Sequence, residues 1–210
     1  KFETPEVVMM YSSKGCGEIS RELHRLYHQH LYRGLHRNRP RPILVNTWEA
    51  TYFAIEHKAV VNMAKQADKL GIDLVVLDDG WFGRRNDDTS ALGDWNIVNE
   101  VKLPYGLDGL ANQVRAQGVL FGIWMEPESI SEDSDLYRAN PDWCIHTEGR
   151  PRTRGRNQLL LDFGRAEVRQ HILKVLTEIL SLQCAETGEP LISYVKWDMN
   201  RCITEAGSPV

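Results

Sequence analysis

No CxxC pair occurs in this sequence, and its four cysteines (Cys16, Cys144, Cys184 and Cys202) stand far apart. That spacing argues against a disulfide framework and fits isolated thiols in a reducing, cytoplasmic setting. No apolar run reaches the length of a membrane span, so no membrane partner is expected. Nor do basic residues gather on a face suited to nucleic acid. Arg150, Arg152, Arg154 and Arg156 cluster locally, but Pro, Thr and Gly interrupt them. There is no low-complexity tract and no Gly-rich phosphate turn. The 210 residues are 42% hydrophobic and 26% charged, with a net charge of −4, which is the composition of a globular protein with one ordinary core.

One pattern occurs four times. Ile43-Leu44-Val45 runs into Asn46-Thr47-Trp48-Glu49, and Leu74-Val75-Val76-Leu77 into Asp78-Asp79-Gly80-Trp81. Val119-Leu120-Phe121-Gly122-Ile123 runs into Trp124-Met125-Glu126-Pro127-Glu128, and Leu191, Ile192, Tyr194 and Val195 into Lys196-Trp197-Asp198-Met199-Asn200. Apolar strands with polar and aromatic groups at their C-terminal ends are the arrangement in which parallel α/β enzymes keep their chemistry. Period-2 alternation predicts Lys196, Asp198 and Asn200 on one face.

Between these strands the spacing predicts helices. Residues 5–12 read as a short strand, followed by a helix carrying Ile19, Leu23, Leu26, Tyr27 and Leu31 and ending near Gly34. Ile55 to Leu70 forms an amphipathic helix stopped at Gly71. A shorter helix carries Leu107, Leu110 and Val114, and a third runs from about Glu167 to Leu182. The strands are expected at about 43–48, 73–78, 119–125 and 191–198. Alternating strands and helices with crossover-length connections imply a parallel sheet. The loops after the strands are much longer than the returns before them, as on the active rim of a barrel. The expected fold is therefore α/β, the N-terminal half of a (β/α)8 TIM barrel with about four βα units, preceded by a short strand and a helix. A whole barrel takes roughly 250 residues, and half of one has unpaired edges, so the sequence reads as an excerpt.

Asp198, at a strand end beside Lys196 and Asn200, is the candidate nucleophile. A nearby ammonium keeps a carboxylate anionic, and carboxylates attack anomeric carbons. From spacing alone, a Lys–Asp salt bridge serves equally well. Asp78 and Asp79 could accept hydrogen bonds from neighbouring sugar hydroxyls or hold a divalent cation. Trp48 and Trp124 hold equivalent strand-end positions where an indole could face a pyranose. Glu126 and Glu128 fit either an acid or a supporting role. His24 and His28 are spaced like a metal pair but lack a third ligand, and they read as a solvated helix face.

Together Leu77-Asp78-Asp79-Gly80-Trp81-Phe82, Leu92-Gly93-Asp94-Trp95, Gly122-Ile123-Trp124-Met125-Glu126-Pro127-Glu128, Gly155-Arg156-Asn157-Gln158 and Tyr194-Val195-Lys196-Trp197-Asp198-Met199-Asn200 resemble the catalytic barrel of glycoside hydrolase family 36 α-galactosidases. The resemblance implies a retaining enzyme for terminal α-galactosyl groups of melibiose- and raffinose-type sugars. Asp198 would be the nucleophile, with Lys196 and Asn200 holding ring hydroxyls. Asp78 and Asp79 would bind the C4 and C6 hydroxyls, Trp48 and Trp124 would line the pocket, and Arg156 would reach in from a loop. The resemblance implies no metal and no organic cofactor. It places the acid/base Asp in a later part of the barrel, so the chain alone is expected to be inactive. Residues 1–16 would be the tail of an upstream β-domain and its linker, and residues 17–210 the N-terminal part of the barrel. Its partners would be the remaining barrel half and the β-domains, with a homotetramer as the family's frequent assembly. A raffinose- or stachyose-synthase-like transferase and a non-catalytic galactoside-binding fragment are the alternatives. A metal-dependent enzyme built on Asp78 and Asp79 is a more distant one.

Overall fold

The computed structural model describes residues 3–210 and divides into two compact units, Lys1–Arg41 and Pro42–Val210. In the first, helix α1 (Cys16–Leu26) continues into a π-helical turn, Tyr27–Leu31, whose i→i+5 bond runs from Tyr32 N to Tyr27 O at 2.8 Å. The expected strand at residues 5–12 is not formed. A strand needs a partner ladder, and among the described residues none pairs with this segment; Val7, Val8, Met9 and Tyr11 are exposed. His24 and His28 belong to unburied helix, with His28 Nε2 2.7 Å from Arg37 O.

The second unit is built on parallel strands β1 (Leu44–Asn46), β2 (Leu74–Leu77), β3 (Leu120–Met125) and β6 (Tyr194–Trp197), in the spatial order β1-β2-β3-β6. Helices α3 (His57–Lys69), α4 (Gly106–Arg115) and α6 (Ala166–Leu180) make the crossovers. β2 is buried throughout, as a strand covered on both faces must be, and this explains its unbroken Leu-Val-Val-Leu. Val75, Leu77, Phe121 and Ile123 pack with Val60, Ala64, Leu110, Val114 and Val175 in the main core.

α3 closes in a Schellman motif: Ile72 N donates to Ala67 O and Gly71 N to Asp68 O, with Gly71 at φ 70°. That turn makes the immediate return to β2. A different constraint acts at Gly122, paired with Tyr194. A Cβ there would lie 3.0 Å from Tyr194 Cβ and 3.1 Å from its carbonyl oxygen, so only glycine lets β3 and β6 approach this closely.

The loop after β3 forms a ribbon of β4 (Ser129–Ile130) with β5 (Leu159–Leu160), plus helix α5 (Asp135–Ala139). Asp94 accepts hydrogen bonds from Asp135 N and Leu136 N at 3.0 Å, and Ser134 Oγ accepts from Tyr137 N, which satisfies the α5 amides. A second core (Ile130, Leu136, Cys144, Leu159, Val168, Ile172) lies beneath. Two expected strand bounds are corrected. β1 stops at Asn46 because Trp48 opens the short helix α2 (Trp48–Thr51). β6 spans only 194–197, with Leu191 and Ile192 buried ahead of it.

Candidate functional site

β2 ends in two buried carboxylates that are held differently. Asp78 Oδ2 accepts Asn46 Nδ2 at 2.5 Å and Lys196 Nζ at 2.8 Å, while Oδ1 accepts the N–H of Asp79. Its own N–H donates to Thr47 Oγ1 at 3.0 Å. Strand ends on either side of β2 therefore fix one side chain. Asp79 is gripped by Arg85, whose Nε lies 3.0 Å from Oδ1 and whose Nη2 lies 2.8 Å from Oδ2. Arg85 is itself buried, with Nη1 on Ser90 O. Lys102 closes the turn by donating to Gly80 O and Arg85 O. Burial pushes the Asp79 carboxyl above its ordinary range, and the guanidinium only partly opposes this.

Beyond β6 the chain keeps the ladder for one more step: Asp198 N donates to Met125 O at 2.9 Å. Asp198 is half-buried. Its Oδ2 accepts Trp124 Nε1 at 3.0 Å and Asn200 Nδ2 at 2.8 Å, and among the described residues no donor reaches Oδ1. Burial pushes its pKa up, but the indole and amide donors, together with the Lys196 and Arg156 charges, more than offset this. The carboxyl is held below its ordinary value. The alternation argument needs correction here. Lys196 reaches Asp78 rather than Asp198, and Asp198 and Asn200 lie past the strand.

Trp124 is buried and joins an aromatic stack, 6.3 Å from Phe82 with rings 7° apart, while Trp81 Nε1 donates to Trp124 O. Trp48 is half-buried and meets Tyr52 and Phe53 edge-on at 5.1 Å, with its backbone N–H on Asn46 Oδ1. Arg156 sits at the tip of a two-residue turn closed by reciprocal Gly155–Gln158 backbone bonds. Arg156 and Asn157 have φ 50° and 61°, the pattern of a type I′ turn, which Asn adopts readily but Arg only against strain. Arg156 is exposed, and its charge is felt at Asp198.

The two glutamates after β3 separate in role. Glu126 is buried and accepts four hydrogen bonds, from Ser129 Oγ, Gln158 Nε2, Asn200 N and Asn200 Nδ2. Glu128 is half-buried and uses Oε2 to accept Trp197 Nε1 at 2.8 Å; its Oε1 is buried without a partner, and burial raises its pKa. Arg201 anchors the loop through Gln158 O at 3.0 Å. Sequence reasoning assigned no role to Arg85, Gln158 or Arg201. Nothing local marks Arg85, since its neighbour Arg84 is exposed. Among the described residues no three His, Cys, Asp or Glu groups converge as a metal site.

A family model described as Melibiase matches residues 1–210. The α-galactosidase AgaA of Geobacillus stearothermophilus is 55% identical over 207 residues, covering 99% of this chain and 27% of its own length. A solved structure of an AgaA variant with 1-deoxygalactonojirimycin superposes with a TM-score of 0.87 at 53% identity, over 95% of this chain and 27% of that one. Another AgaA variant, in complex with raffinose, gives 0.81 at 54% identity, over 88% and 25%. The chain thus spans about a quarter of the length of the relatives it matches. With that likeness, β1, β2, β3 and β6 are strands of the N-terminal part of a TIM barrel.

Proposed function

This chain belongs to the melibiase family, among the α-galactosidases of glycoside hydrolase family 36, and from that membership we propose that it is the nucleophile-bearing part of a retaining α-galactosidase barrel. The substrates are terminal α-galactosides of the melibiose and raffinose type. Residues 17–210 belong to the barrel and residues 1–16 to the tail and linker of an upstream β-domain. The partners are the remaining barrel half and β-domains, in an assembly that we propose is tetrameric and cytoplasmic.

The observation that carries this reading is the unequal treatment of the two Asp198 oxygens. Oδ2 is held by Trp124 and Asn200, and Oδ1 is left to react. Oδ1 attacks the anomeric carbon as the glycosidic C–O bond breaks, and the leaving oxygen takes a proton from an acid. Water, deprotonated by the same group, then releases the sugar with its configuration retained. Asp78 and Asp79, pinned by Lys196 and Arg85, offer acceptors to the sugar hydroxyls, and Asn200 contributes from beside Asp198. Epimer discrimination suits such a site, because the wrong sugar leaves buried polar groups unpaired.

The second carboxyl of a retaining pair stands about 5–5.5 Å from the first. In this chain Glu126 is saturated and Asp78 and Asp79 are paired, while Glu128 is tied to Trp197, the strand neighbour of Lys196 that alternation turns to the opposite face. Family membership implies that the acid/base comes from a later part of the barrel, and the engagement of these four carboxyl groups is in keeping with that. A mechanism-based galactosyl inhibitor applied to the full-length enzyme should label Asp198, and peptide mapping to another residue would remove the assignment. Glu128→Gln should retain turnover within about threefold; a loss of several hundredfold, the scale of a lost general acid, would make Glu128 the missing partner.

A further inference from the structure

We infer that Glu126 is a positioning residue: through Asn200 it fixes which end of that amide faces Asp198 and which faces the substrate. This rests on the reading of Asp198 as nucleophile and adds a residue to it. An ionised carboxylate only accepts hydrogen bonds, whereas a carboxamide has a donating and an accepting end. Asn200 Nδ2 lies 2.8 Å from Asp198 Oδ2 and 3.2 Å from Glu126 Oε2. Its two protons are thus divided between two acceptors. Turning the amide over would set Oδ1 against both anionic oxygens, so the two carboxylates determine its orientation. Oδ1 is then the remaining polar atom of Asn200, an acceptor available to a hydroxyl of the sugar.

Glu126 is placed for this task and for no direct one. It is 1% exposed, and its Oε1 is already occupied by Ser129 Oγ at 2.9 Å, Gln158 Nε2 at 2.6 Å and Asn200 N at 2.9 Å. The backbone bond from Asn200 N sets where residue 200 stands, and the bond from Nδ2 sets which way it points. Replacing Glu126 with Gln keeps shape and volume but makes one terminal atom a donor. Asn200 N and Gln158 Nε2 are obligate donors, so the Gln carbonyl must occupy the Oε1 position. Its NH2 then meets the NH2 of Asn200. Relief requires Asn200 to turn over, which takes a donor away from Asp198 and puts an acceptor in its place.

The test is a double-mutant cycle in the full-length enzyme, read as kcat/KM on an aryl α-galactoside with folding checked by thermal unfolding. Glu126→Gln should lower kcat/KM by about 10- to 100-fold, the scale of a lost hydrogen bond to a charged group. In an Asn200→Ala background the same change should cost less than about threefold, because its route is gone. Penalties that multiply independently, with the unaltered enzyme active, would overturn the role of Glu126 and leave the proposed function standing. No hydrolysis by the unaltered enzyme would remove both.

A second comparison holds if Glu126→Gln fails to fold. Asn200→Asp replaces the amide nitrogen with oxygen at equal size and sets it against both carboxylates. It should be less active than Asn200→Ala, which removes the conflict. Equal or greater activity for Asn200→Asp would show that the amide protons are not what the site uses, and would overturn the proposal.

Discussion

Lys196 Nζ and Asp78 Oδ2 lie 2.8 Å apart, although their strands are not neighbours: β3 runs between β6 and β2. The ion pair bridges the strand that carries Trp124 and ties Asp78, which we propose binds the sugar, to the strand that leads into the proposed nucleophile. Lys196→Met should destabilise the enzyme by about 1–3 kcal/mol. This is less than for a fully buried pair, because the lysine side chain is 37% exposed against 4% for its partner. A lower melting temperature and a raised KM would bear this out; an unchanged melting temperature would mean that Asn46 and the Asp79 N–H suffice to hold Asp78.

Trp124→Phe removes one of the two donors to Asp198 Oδ2 but keeps an aromatic ring against Phe82. Asp198 is held below its ordinary pKa, with burial opposing and the indole, amide and nearby cations prevailing. As the proposed nucleophile Asp198 must be ionised, so losing the indole N–H raises the pH at which it becomes active. The acid limb of the kcat/KM profile should move upward, while the alkaline limb stays in place. An acid limb that does not move would show that the indole serves only packing.

Arg156→Gly should act on stability and activity with opposite signs. At φ 50° an arginine bears left-handed strain of about 1 kcal/mol that glycine does not. The melting temperature should rise slightly while KM rises about tenfold, the cost of losing the charged contact to substrate that we propose for Arg156. A lower melting temperature with an unchanged KM would mean that the arginine supports the turn instead of reaching the ligand.

Arg85→Met leaves the Asp79 charge buried and unmatched, at a cost of about 3–5 kcal/mol. Asp79 already titrates above its ordinary value because of burial, and losing the guanidinium raises it further. A raised folded-state carboxyl pKa is harmless in acid, where the group is protonated folded and unfolded alike. The deficit appears as pH rises past the ordinary carboxylate range. Urea unfolding at several pH values should show a difference from the unaltered enzyme that widens from acid to neutral; a constant difference would mean that Asp79 is not the group left unpaired.

The parallel sheet and its helices were legible because burial on both faces forces runs such as Leu74–Leu77, and because a Schellman glycine such as Gly71 ends α3 abruptly. The roles of individual charges were not. Spacing alone suggested that Lys196 serves Asp198, but the pairing depends on three-dimensional reach across β3. Arg85 and Gln158 acquire their roles through contacts with Asp79 and with Glu126, 32 residues away in the latter case, and no local periodicity encodes these. The segment 5–12 has the composition of a strand, yet strand formation depends on a partner as well as on composition.

Tethering a single oxygen of Asp198 has a consequence for the second half of turnover. In the proposed mechanism, once Oδ1 is esterified to the sugar, Oδ2 becomes the ester's carbonyl, still in the grip of Trp124 and Asn200. Those two protons then withdraw electron density from the acyl group and make the aspartate an easier group to expel when water arrives. In the proposed cycle the same pair of contacts keeps the carboxylate ionised before attack and makes it a better leaving group afterwards, with no side chain needing to change place between the two.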